Sequence, residues 1–482
     1  MSTKGPLVVV GDALLDCDVD GQVSRLCPDA PAPVLDDAAP AWRPGGAALA
    51  ALLAAEEDVP VVLVAPLGDD EASATVRALL EPHVTVVGLP LTGPLAEKTR
   101  FMAGGRTLLR ADRPAGAAGP AGQEAEEAVA SAGAVLVADY GRGVTGDERV
   151  RAALARQANR IPLVWDPHQK GAAPVPHAWL VTPNYAEAVA AARLPAARDP
   201  HLLRTAATAA GALCRSWGAN AAAVTVGERG AVLVQGGASP LVVPAPRLTV
   251  ADTCGAGDRF AAAAAAALRE GALTSEAVTT ATSAASAYLA AGGARRYSSS
   301  SRTRAVTLRS PLDAAGHTGR VPASRDATEL AARIRAAGGT VVATGGCFDL
   351  LHAGHVSLLQ AARSLGDGLI VCLNSDASVR RLKGDGRPLN QASDRVDILA
   401  ALGCVDAVTV FEEDTPCAVL EQIRPDIWVK GGDYDGRELP EAAVLGNWGG
   451  VAVTVPYLNG RSTTRLHAAS LRAASLDGTD RD

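Results

Sequence analysis

The sequence predicts an α/β protein of two domains joined by a linker. Apolar, β-branched runs of strand length alternate with alanine-rich stretches of helical length, and this alternation is typical of a mostly parallel sheet covered by helices. The alternation stops between Arg295 and Arg325, where serine, proline and glycine are frequent, and then restarts. With 482 residues, the chain also exceeds one ordinary domain. We expect a first domain over residues 1–300, a linker over 301–325 and a smaller second domain over 326–482.

The predicted strands of the first domain begin with the apolar run LVVVG at residues 7–11. Further runs predict strands at residues 60–65, 134–138, 161–165, 179–182, 221–225 and 230–234. Two long alanine-rich segments then predict helices at residues 256–270 and 275–290. In a parallel sheet of this kind, ligands gather at the carboxyl ends of the strands.

The second domain repeats the pattern on a smaller scale. Strands are predicted at residues 340–344, 368–374, 406–411, 427–430 and 451–455. Helices fit between them, for example at residues 393–402 and 415–423. We expect a smaller α/β unit with its ligand at the same kind of sheet edge.

The composition is that of a soluble globular protein, and the targeting signals considered below lead us to expect a cytoplasmic one. Hydrophobic residues make up 48% of the chain and charged residues 20%, and the formal net charge is −7. This charge argues against a nucleic-acid-binding surface, which needs clustered Lys and Arg, but it allows a local basic site for a small anion. There is neither a signal peptide's apolar stretch nor a run of about 20 apolar residues that would span a membrane. The eight dispersed cysteines form no C-x-x-C pair, and we expect them to be reduced and mostly buried.

The segment DTCGAGD, residues 252–258, is the first candidate site. Gly255, Ala256 and Gly257 can present backbone N–H groups to a phosphoryl group at the start of the following helix. Asp258 is a candidate general base for a substrate hydroxyl, because phosphoryl transfer needs mainly positioning and charge stabilisation. A plain glycine-rich turn with an acidic residue that favours the helix dipole is the alternative for these residues taken alone.

The segment TGGCFDLLHAGH, residues 344–355, is the second candidate site. A strand runs into a helix here, and His352 and His355 share one face of the first helical turn, with Gly354 leaving room for a ligand. Unpaired N–H groups and the positive end of the helix dipole favour a phosphate at this place. An ordinary helix start with incidental histidines is the alternative, and a metal site would need a third ligand nearby.

The first site resembles the signature D-T-x-G-A-G-D of the ribokinase-like sugar kinases. Four other segments resemble elements of that family in the same order, namely GDALLD (11–16), RPGGAA (43–48), NYAE (184–187) and TVGERG (225–230). The resemblance implies a ribokinase-like α/β fold with residues 255–257 as the anion hole and Asp258 as the base. It also implies sugar binding by Asp12, Gly45 and Gly46, and ATP binding by Asn184, Glu187, Thr225, Gly227, Glu228 and Gly230.

Two positions depart from the kinase pattern. In the family pattern that this segment resembles, an Asn follows Gly-Gly-Ala-Ala, and Leu49 occupies that position here. Because Leu cannot hydrogen-bond a sugar hydroxyl, another sugar or a loss of kinase activity remains an alternative. Arg259 stands where a small polar residue is usual. Lys98 and Arg100 are candidates for contacting a substrate phosphate.

The second site resembles the nucleotidyltransferase signature G-x-F-D-x-x-H-x-G-H. The resemblance implies a Rossmann-like domain in which His352 and His355 stabilise charge on the nucleotide phosphates as pyrophosphate leaves. No nucleophilic side chain is needed, because an acceptor phosphate oxygen attacks the α-phosphate, and two imidazoles suit the role of hydrogen-bond donors at neutral pH. The further nucleotide-binding residues expected here are Gly345, Phe348, Asp349, Lys383, Arg387, Lys430, Ser462, Thr463 and Thr464.

The order of the two domains resembles the bifunctional enzymes that join a D-glycero-β-D-manno-heptose-7-phosphate kinase to a heptose-1-phosphate adenylyltransferase. This resemblance implies phosphorylation of the anomeric hydroxyl of heptose 7-phosphate by ATP, then AMP transfer from ATP to heptose 1-phosphate. It implies Mg²⁺ with ATP, without assigning a protein residue as a direct metal ligand, and it allows a homodimer through the kinase domain. The alternatives are the same chemistry on another sugar phosphate or nucleotide, or an inactive kinase half that acts as a scaffold or sugar sensor.

Overall fold

The computed structural model describes residues 4–195, 201–236, 239–250, 252–298, 326–432 and 439–456. The chain forms two compact units. The first comprises Met1–Pro195, Ala209–Leu233 and Ala245–Ala314, and the second comprises Ala196–Thr208, Val234–Pro244 and Ala315–Asp482. Strands alternate with helices in both units, which confirms the predicted α/β class. The predicted linker lies outside the described residues, and the predicted domain boundaries stay predictions.

The strands and helices that the sequence predicts before residue 298 are all found with similar bounds, and the largest shift is at the strand predicted from residue 161 and found from Leu163. The strands are β1 (Leu7–Gly11), β2 (Ala13–Leu26), β3 (Pro33–Gly46), β4 (Val61–Pro66), β5 (Thr85–Leu89), β6 (Leu91–Thr92), β7 (Glu97–Ala103), β8 (Arg106–Asp112), β9 (Ala117–Ala118), β10 (Ala134–Ala138), β11 (Leu163–Asp166), β12 (Leu180–Val181), β13 (Ala221–Thr225), β14 (Ala231–Gln235) and β15 (Leu241–Val243). The helices are α1 (Ala47–Ala55), α2 (Glu71–Leu80), α3 (Gln123–Ala130), α4 (Glu148–Ala158), α5 (Tyr185–Ala191), α6 (Leu202–Trp217), α7 (Ala256–Arg269) and α8 (Thr274–Ala290). Short 3₁₀ turns occupy Val144–Gly146, Gly227–Arg229 and Gly293–Tyr297.

The main sheet of the first unit is built around β1. Its strand order is β13-β12-β11-β10-β1-β4-β5, and each neighbouring pair is parallel. Every residue of β1 and β10 is buried, as continuous valine and leucine runs require in a sheet covered on both faces. In register, Gly11 of β1 lies beside Ala138 of β10, and Ala138 lies beside Asp166 of β11. The segments that follow these strands therefore meet at one edge of the sheet.

A second sheet of the first unit is absent from the sequence prediction. Its order is β3-β2-β7-β8, with β2 antiparallel to β3 and parallel to β7, and with β7 antiparallel to β8. β2 is buried only in its first half, and β8 is exposed along its whole length. Because these strands carry charged residues and prolines, they lack the apolar periodicity that indicates the other strands. This four-stranded sheet forms one wall of the candidate kinase site.

The elements of the second unit after residue 326 also agree with the predicted ones. Its strands are β16 (Val341–Gly346), β17 (Gly368–Asn374), β18 (Ala407–Phe411), β19 (Ile427–Gly431) and β20 (Val451–Val455). Its helices are α9 (Ala327–Ala336), α10 (Ala353–Ser364), α11 (Asp376–Lys383), α12 (Ala392–Ala400), α13 (Cys417–Ile423) and α14 (Ala442–Gly446). Across the described ranges of both units, the search for a helix long and apolar enough to cross a membrane finds none.

The sheet of the second unit has the order β18-β17-β16-β19-β20-β15, and its pairs are parallel. β15 belongs to the stretch 234–244 that groups with this unit. Leu330, Ile334, Leu420 and Trp428 are buried in a core between the sheet and its helices. The carboxyl ends of β16, β17 and β19 are neighbours at one edge, and the predicted nucleotide site follows β16 there.

Candidate active sites

A cavity of about 440 Å³ lies in the first unit beside the start of α7 and the four-stranded sheet. Mixed polar and apolar linings of this kind are typical of sites for small ligands. Asp258 and Gly255, both predicted from the sequence, are among the lining residues. The others are Leu14, Asp16, Gly46, Leu49, Lys98, Arg100, Thr107, Arg110, Tyr140, Asp252, Thr253 and Cys254.

Asp258 lies in the first turn of α7 and is 6% exposed. The Tyr140 hydroxyl donates a hydrogen bond to its Oδ1 at 2.6 Å. Burial raises the pKa of Asp258 to about 7, although the Tyr140 hydrogen bond acts in the opposite direction. A carboxylate whose pKa lies near neutrality is suited to accept a proton from a hydroxyl at physiological pH.

The turn before α7 presents backbone N–H groups close to Asp258. Gly255 has a φ of 80°, and a Cβ there would collide with the Tyr288 hydroxyl, so the position requires glycine. The Ala256 N–H donates to the Thr253 carbonyl oxygen at 3.2 Å. Within the described ranges, the N–H groups of Gly255 and Gly257 have no acceptor. These two amides can therefore donate to an anionic ligand at the helix start.

The structure brings Asp16, and not Asp12, to the cavity. Asp12 is fully buried, and its carboxylate accepts the N–H groups of Tyr140 at 3.1 Å and Arg142 at 2.9 Å. It therefore fixes the segment that carries Tyr140. The buried Oδ1 of Asp16 accepts no hydrogen bond from the part of the chain that the structure describes. An unpaired carboxylate oxygen in a cavity wall is an acceptor for a ligand hydroxyl.

One residue of the glycine pair after Arg43 lines the cavity, as does the residue that departs from the kinase pattern. These are Gly46 and Leu49, and Leu49 is 1% exposed. A Cβ at Gly45 would collide with Leu14, so glycine lets β3 approach β2. The Leu49 side chain is thus an apolar part of the cavity wall, at the position where the kinase pattern has the amide side chain of an Asn. Arg259, the other departure, forms an ion pair with Glu57 at 2.5 Å.

The cavity wall contains a buried ionic cluster that the sequence analysis did not single out. Arg43 is fully buried, forms an ion pair with Asp16 and lies 3.4 Å from Asp18. Burial disfavours its charge, but Asp16, Cys254 and Asp18 together raise the pKa of Arg43 above its ordinary value. Arg100 donates to Asp252 at 3.2 Å and to the Cys254 sulfur at 2.9 Å. The two arginines therefore connect the sheet to the turn before α7.

The predicted ATP-binding residues of the first unit form two adjacent turns. Asn184 and Glu187 make a capping box at the start of α5, with each side chain accepting the other residue's N–H at 3.0 Å. Asn184 also forms a parallel bridge with Thr225 at the end of β13. The 3₁₀ turn Gly227–Arg229, which includes Glu228, follows, and Gly227 and Gly230 have φ values of 61° and 92°. These residues do not line the cavity that contains Asp258.

Carboxylates near Asp258 affect one another's protonation. Burial raises the pKa of Asp166 well above its ordinary range, and repulsion from Asp258 and Glu187 adds to this effect. Burial also raises the pKa of Glu187. A divalent cation relieves this kind of repulsion. Yet the described residues contain no group of three His, Cys, Asp or Glu side chains close enough to bind a metal directly. The repulsion that Asp166 experiences from Asp258 and Glu187 fits a cation close to these carboxylates.

The two signature histidines stack on each other at the start of α10. Their ring centroids are 3.9 Å apart, and His355 also packs against Phe348 at 5.3 Å. The Gly354 N–H donates to His352 Nδ1 at 3.2 Å, so neutral His352 carries its proton on Nε2. Burial lowers the pKa of His355 to about 4, with smaller contributions from His352 and Lys383. His355 is therefore neutral at physiological pH and acts as a polar group without charge.

Asp349 of the signature anchors a distant loop. Its side chain is buried, forms an ion pair with Arg387 at 3.0 Å, and accepts the N–H groups of Leu389 at 2.7 Å and Asn390 at 3.1 Å. Arg387, predicted as a phosphate contact, is thus held by a carboxylate from the signature turn. Asp349 acts on the nucleotide site through this loop.

The other predicted residues of the nucleotide site have different surroundings. Lys430 is the last residue but one of β19 and pairs with the buried Glu441 at 2.7 Å. Lys383 is exposed at the end of α11, close enough to lower the pKa of His355. A Cβ at Gly345 would meet the Trp428 ring at 2.5 Å, so this glycine is required for packing. Ser462, Thr463 and Thr464 lie outside the described residues.

Tyr140 and Asp16 are the main residues that the sequence analysis missed in the kinase site. Tyr140 comes two residues after β10, and the rule that ligands gather at carboxyl ends of parallel strands could have found it. Asp16 lies inside the quoted segment GDALLD, but its position depends on β2, which the sequence did not predict. Arg110 and Thr107 lie on the equally unpredicted β8.

Two family descriptions match the sequence. The pfkB family of carbohydrate kinases matches residues 5–301, and the cytidylyltransferase-like family matches residues 343–449. The protein is therefore an enzyme that combines a carbohydrate kinase domain with a nucleotidyltransferase domain.

Relatives named bifunctional proteins align with nearly the whole chain. The bifunctional protein HldE of Streptomyces coelicolor is 54% identical and covers 98% of both chains, and that of Azorhizobium caulinodans is 38% identical over 96% of this chain and 98% of its own. Arabidopsis thaliana ribokinase, solved with ribose and ATP, is 23% identical over 61% of this chain and 96% of its own, with a TM-score of 0.48. The chain belongs to the HldE family of bifunctional proteins.

The variant Tyr140→Phe should move the pH dependence of the kinase reaction to higher pH. The Tyr140 hydroxyl stabilises the charged form of Asp258, so its loss raises a pKa that burial already places at about 7. Because a base must be deprotonated, kcat/KM falls about tenfold per pH unit below this pKa. Initial rates of ADP formation measured across the neutral range check the shift.

Tyr297→Phe is the matched control, since its hydroxyl donates to Glu56 at 2.6 Å and does not line the cavity. It should leave the pH profile unchanged. An unshifted profile in Tyr140→Phe would contradict the assignment of Asp258 as the titrating base.

Asp349→Asn should destabilise the second unit and lower its nucleotidyl transfer. The change leaves Arg387, whose side chain is 12% exposed, without its carboxylate, and breaking a buried pair costs about 3 kcal/mol. Thermal unfolding and pyrophosphate release measure the two effects. The control is Asp414→Asn, whose half-exposed pair with Arg381 contributes under about 1 kcal/mol. Equal effects of the two variants would refute the anchoring role of Asp349.

Proposed function

We propose that the first unit phosphorylates the anomeric hydroxyl of heptose 7-phosphate with ATP, and that the second transfers AMP from ATP to heptose 1-phosphate. In the first reaction the hydroxyl oxygen attacks the γ-phosphorus, the proton passes to Asp258, and ADP leaves. A separate phosphatase then removes the 7-phosphate. In the second reaction an oxygen of the sugar 1-phosphate attacks the α-phosphorus, and pyrophosphate leaves. The product is ADP-heptose.

The arrangement around Asp258 carries the kinase half of this proposal. A buried carboxylate with a pKa of about 7 lies in one cavity with the turn that offers the amides of Gly255 and Gly257. The carboxylate can take the proton of the attacking hydroxyl, while the amides stabilise charge on the transferring phosphoryl group. Asp16 supplies an acceptor for another sugar hydroxyl.

The histidine pair supports the adenylyltransferase half. His352 and His355 lie at the first turn of α10, where unpaired N–H groups and the helix dipole favour phosphates. The proton of neutral His352 on Nε2 can be donated to a phosphate oxygen. Lys383 adds positive charge near His355. These groups orient the triphosphate and stabilise the leaving pyrophosphate without forming a covalent intermediate.

Mg²⁺ with ATP is the proposed cofactor. When bound, the ion would neutralise phosphate charge, and Asp166 and Glu187 are the residues that would hold it in the kinase site, because a cation would relieve the repulsion that Asp166 experiences from Glu187 and Asp258. The proposed partners are ATP, heptose 7-phosphate and heptose 1-phosphate, and the proposed location is the cytoplasm. We also propose a homodimer through the first unit, where Leu26 and Leu109 are 63% and 60% exposed.

Leu49 favours one alternative, in which the same two reactions act on a different sugar phosphate. Its apolar side chain lines the cavity where the related pattern has an amide. Mass spectrometry of products from heptose 7-phosphate, ATP and Mg²⁺, with and without an added phosphatase, decides between them. The proposal expects heptose 1,7-bisphosphate without the phosphatase and ADP-heptose with it. A clear preference for a hexose phosphate, CTP or GTP would overturn the heptose assignment, and no ATP consumption by the first unit would favour a scaffold.

Two single substitutions should separate the two activities. Asp258→Asn should lower ADP formation about 10²- to 10⁴-fold, because the base is lost, and leave pyrophosphate release from heptose 1-phosphate intact. His355→Ala should do the reverse, with pyrophosphate release reduced about 10²-fold or more. Each variant serves as the folding control for the other half. Equal ATP consumption by wild type and Asp258→Asn in the presence of sugar phosphate would contradict the kinase proposal.

A further inference from the structure

The carbonyl group of Cys254, in the turn before α7, is held by a residue outside both signature segments. Tyr288 lies in the last turn of α8, is 3% exposed, and donates its hydroxyl to the Cys254 carbonyl oxygen at 3.0 Å. Burial raises the pKa of Tyr288, and the nearby Cys254 and Asp258 raise it further, so the hydroxyl stays protonated and acts as a donor. Tyr288 therefore connects α8 to the turn that precedes the proposed base.

This contact determines where the next N–H group of the backbone points. A peptide bond is planar and trans, so its C=O and N–H bonds point in opposite directions. The Cys254 carbonyl belongs to the same peptide unit as the Gly255 N–H. Cys254 and Gly255 line the cavity that contains Asp258, whereas Tyr288 does not. Because its carbonyl is directed to Tyr288, this peptide directs the Gly255 N–H away from Tyr288 and toward the cavity.

The other polar groups of Cys254 are also engaged. Its N–H donates to Asp252 Oδ1 at 2.9 Å, and its sulfur accepts from Arg100 at 2.9 Å. Arg100 also donates to Asp252 Oδ2 at 3.2 Å. The backbone of Cys254 is thus held on both sides, while the Gly255 N–H has no acceptor in the part of the chain that the structure describes. An oriented N–H group at a cavity wall is available to a phosphoryl oxygen.

Tyr288 is one of two stacked tyrosines, and its hydroxyl is the one that reaches the turn. The other is Tyr297, at the end of the 3₁₀ turn Gly293–Tyr297, with ring centroids 6.3 Å apart and ring planes inclined by 20°. The Tyr297 hydroxyl donates to Glu56 at 2.6 Å, just after α1. A Cβ at Gly255 would collide with the Tyr288 hydroxyl, which shows how closely that hydroxyl lies against the turn. The pair therefore offers one hydroxyl that acts on the turn and one that does not.

We propose that Tyr288 is a positioning residue of the kinase reaction, which orients the Gly255 N–H toward the phosphoryl group that is transferred. The proposal rests on the proposed kinase function and deepens it. Charge that develops on the phosphoryl oxygens is stabilised best by donors that are oriented beforehand, because no reorganisation is then needed during the reaction. Tyr288 supplies this orientation from outside the cavity and touches neither the sugar nor the nucleotide.

Tyr288→Phe should lower kcat for ADP formation about 10- to 100-fold, because a misdirected amide loses much of what an anion-hole donor contributes. The KM values for sugar and ATP should stay within about twofold, since the contact acts on the transition state. The pH profile should keep its midpoint, because the hydrogen bond between Tyr140 and Asp258 is untouched. Incorporation of 4-aminophenylalanine at position 288 keeps a donor on the ring and should restore most of kcat. The matched control is Tyr297→Phe, which keeps the stack, removes the hydroxyl that donates to Glu56, and should leave kcat unchanged.

The orientation of this peptide can also be observed directly. Cys254–Gly255 is the only Cys-Gly pair in the sequence. Protein labelled with carbonyl-¹³C cysteine and ¹⁵N glycine therefore gives a single HNCO signal, which comes from this peptide. ADP, Mg²⁺ and aluminium fluoride together mimic the transferring phosphoryl group, and they should move the Gly255 amide proton downfield in wild type but not in Tyr288→Phe. ADP and Mg²⁺ without aluminium fluoride are the control.

These measurements separate the positioning role from the kinase function. A Gly255 signal that responds in wild type and not in Tyr288→Phe supports the role, even if heptose 7-phosphate is not phosphorylated, in which case the proposed kinase function fails by itself. An unchanged kcat in Tyr288→Phe, or the same response of the signal in both proteins, overturns the role and leaves the kinase function standing. Equal losses of kcat in Tyr288→Phe and Tyr297→Phe, or no response of the wild-type signal, also overturn it.

Discussion

The buried guanidinium of Arg43 is the constraint on which the kinase cavity depends. A fully buried charge costs several kcal/mol unless it is paired, and Arg43 finds its partners in Asp16 and Asp18 of the neighbouring strand. Its third contact is the Cys254 sulfur, in the turn that precedes α7. One ionic cluster therefore determines how β2 and β3 lie against the turn that offers backbone amides. The orientation of Asp16 follows from the same pairing.

The second unit follows the same principle with different residues. Its basic side chains near the signature turn are oriented by buried carboxylates, Arg387 by Asp349 and Lys430 by Glu441. In the first unit a buried cation orients a carboxylate that can contact a ligand, and in the second unit buried carboxylates orient cations that can. A chain with a net charge of −7 can present a locally basic site in this way, because the fold places Arg387 and Lys430 beside buried carboxylates.

The sequence predicted the parallel strands and the two signature turns well, because continuous apolar runs and small-residue helix starts are local signals. Leu7–Gly11 and Gly368–Asn374 match the prediction at both ends. The four-stranded sheet was not predicted, because its strands are half exposed and polar. The position of Asp16, which lies on one of these strands, was therefore not predicted either. Side-chain pairs whose members lie far apart in the sequence could not be predicted either. No local pattern relates Tyr140 to Asp258, which are 118 residues apart.

Under the proposed roles, the contrast between the buried acid and the buried imidazole has a metabolic consequence. Asp258 has a pKa of about 7, whereas that of His355 is about 4. Mild acidification therefore protonates the base of the first reaction and leaves the histidine of the second neutral. The rate of the first reaction would fall, while the rate of the second would not. In an acidified cell, the phosphorylated intermediates would therefore still be converted to the activated sugar and would not accumulate.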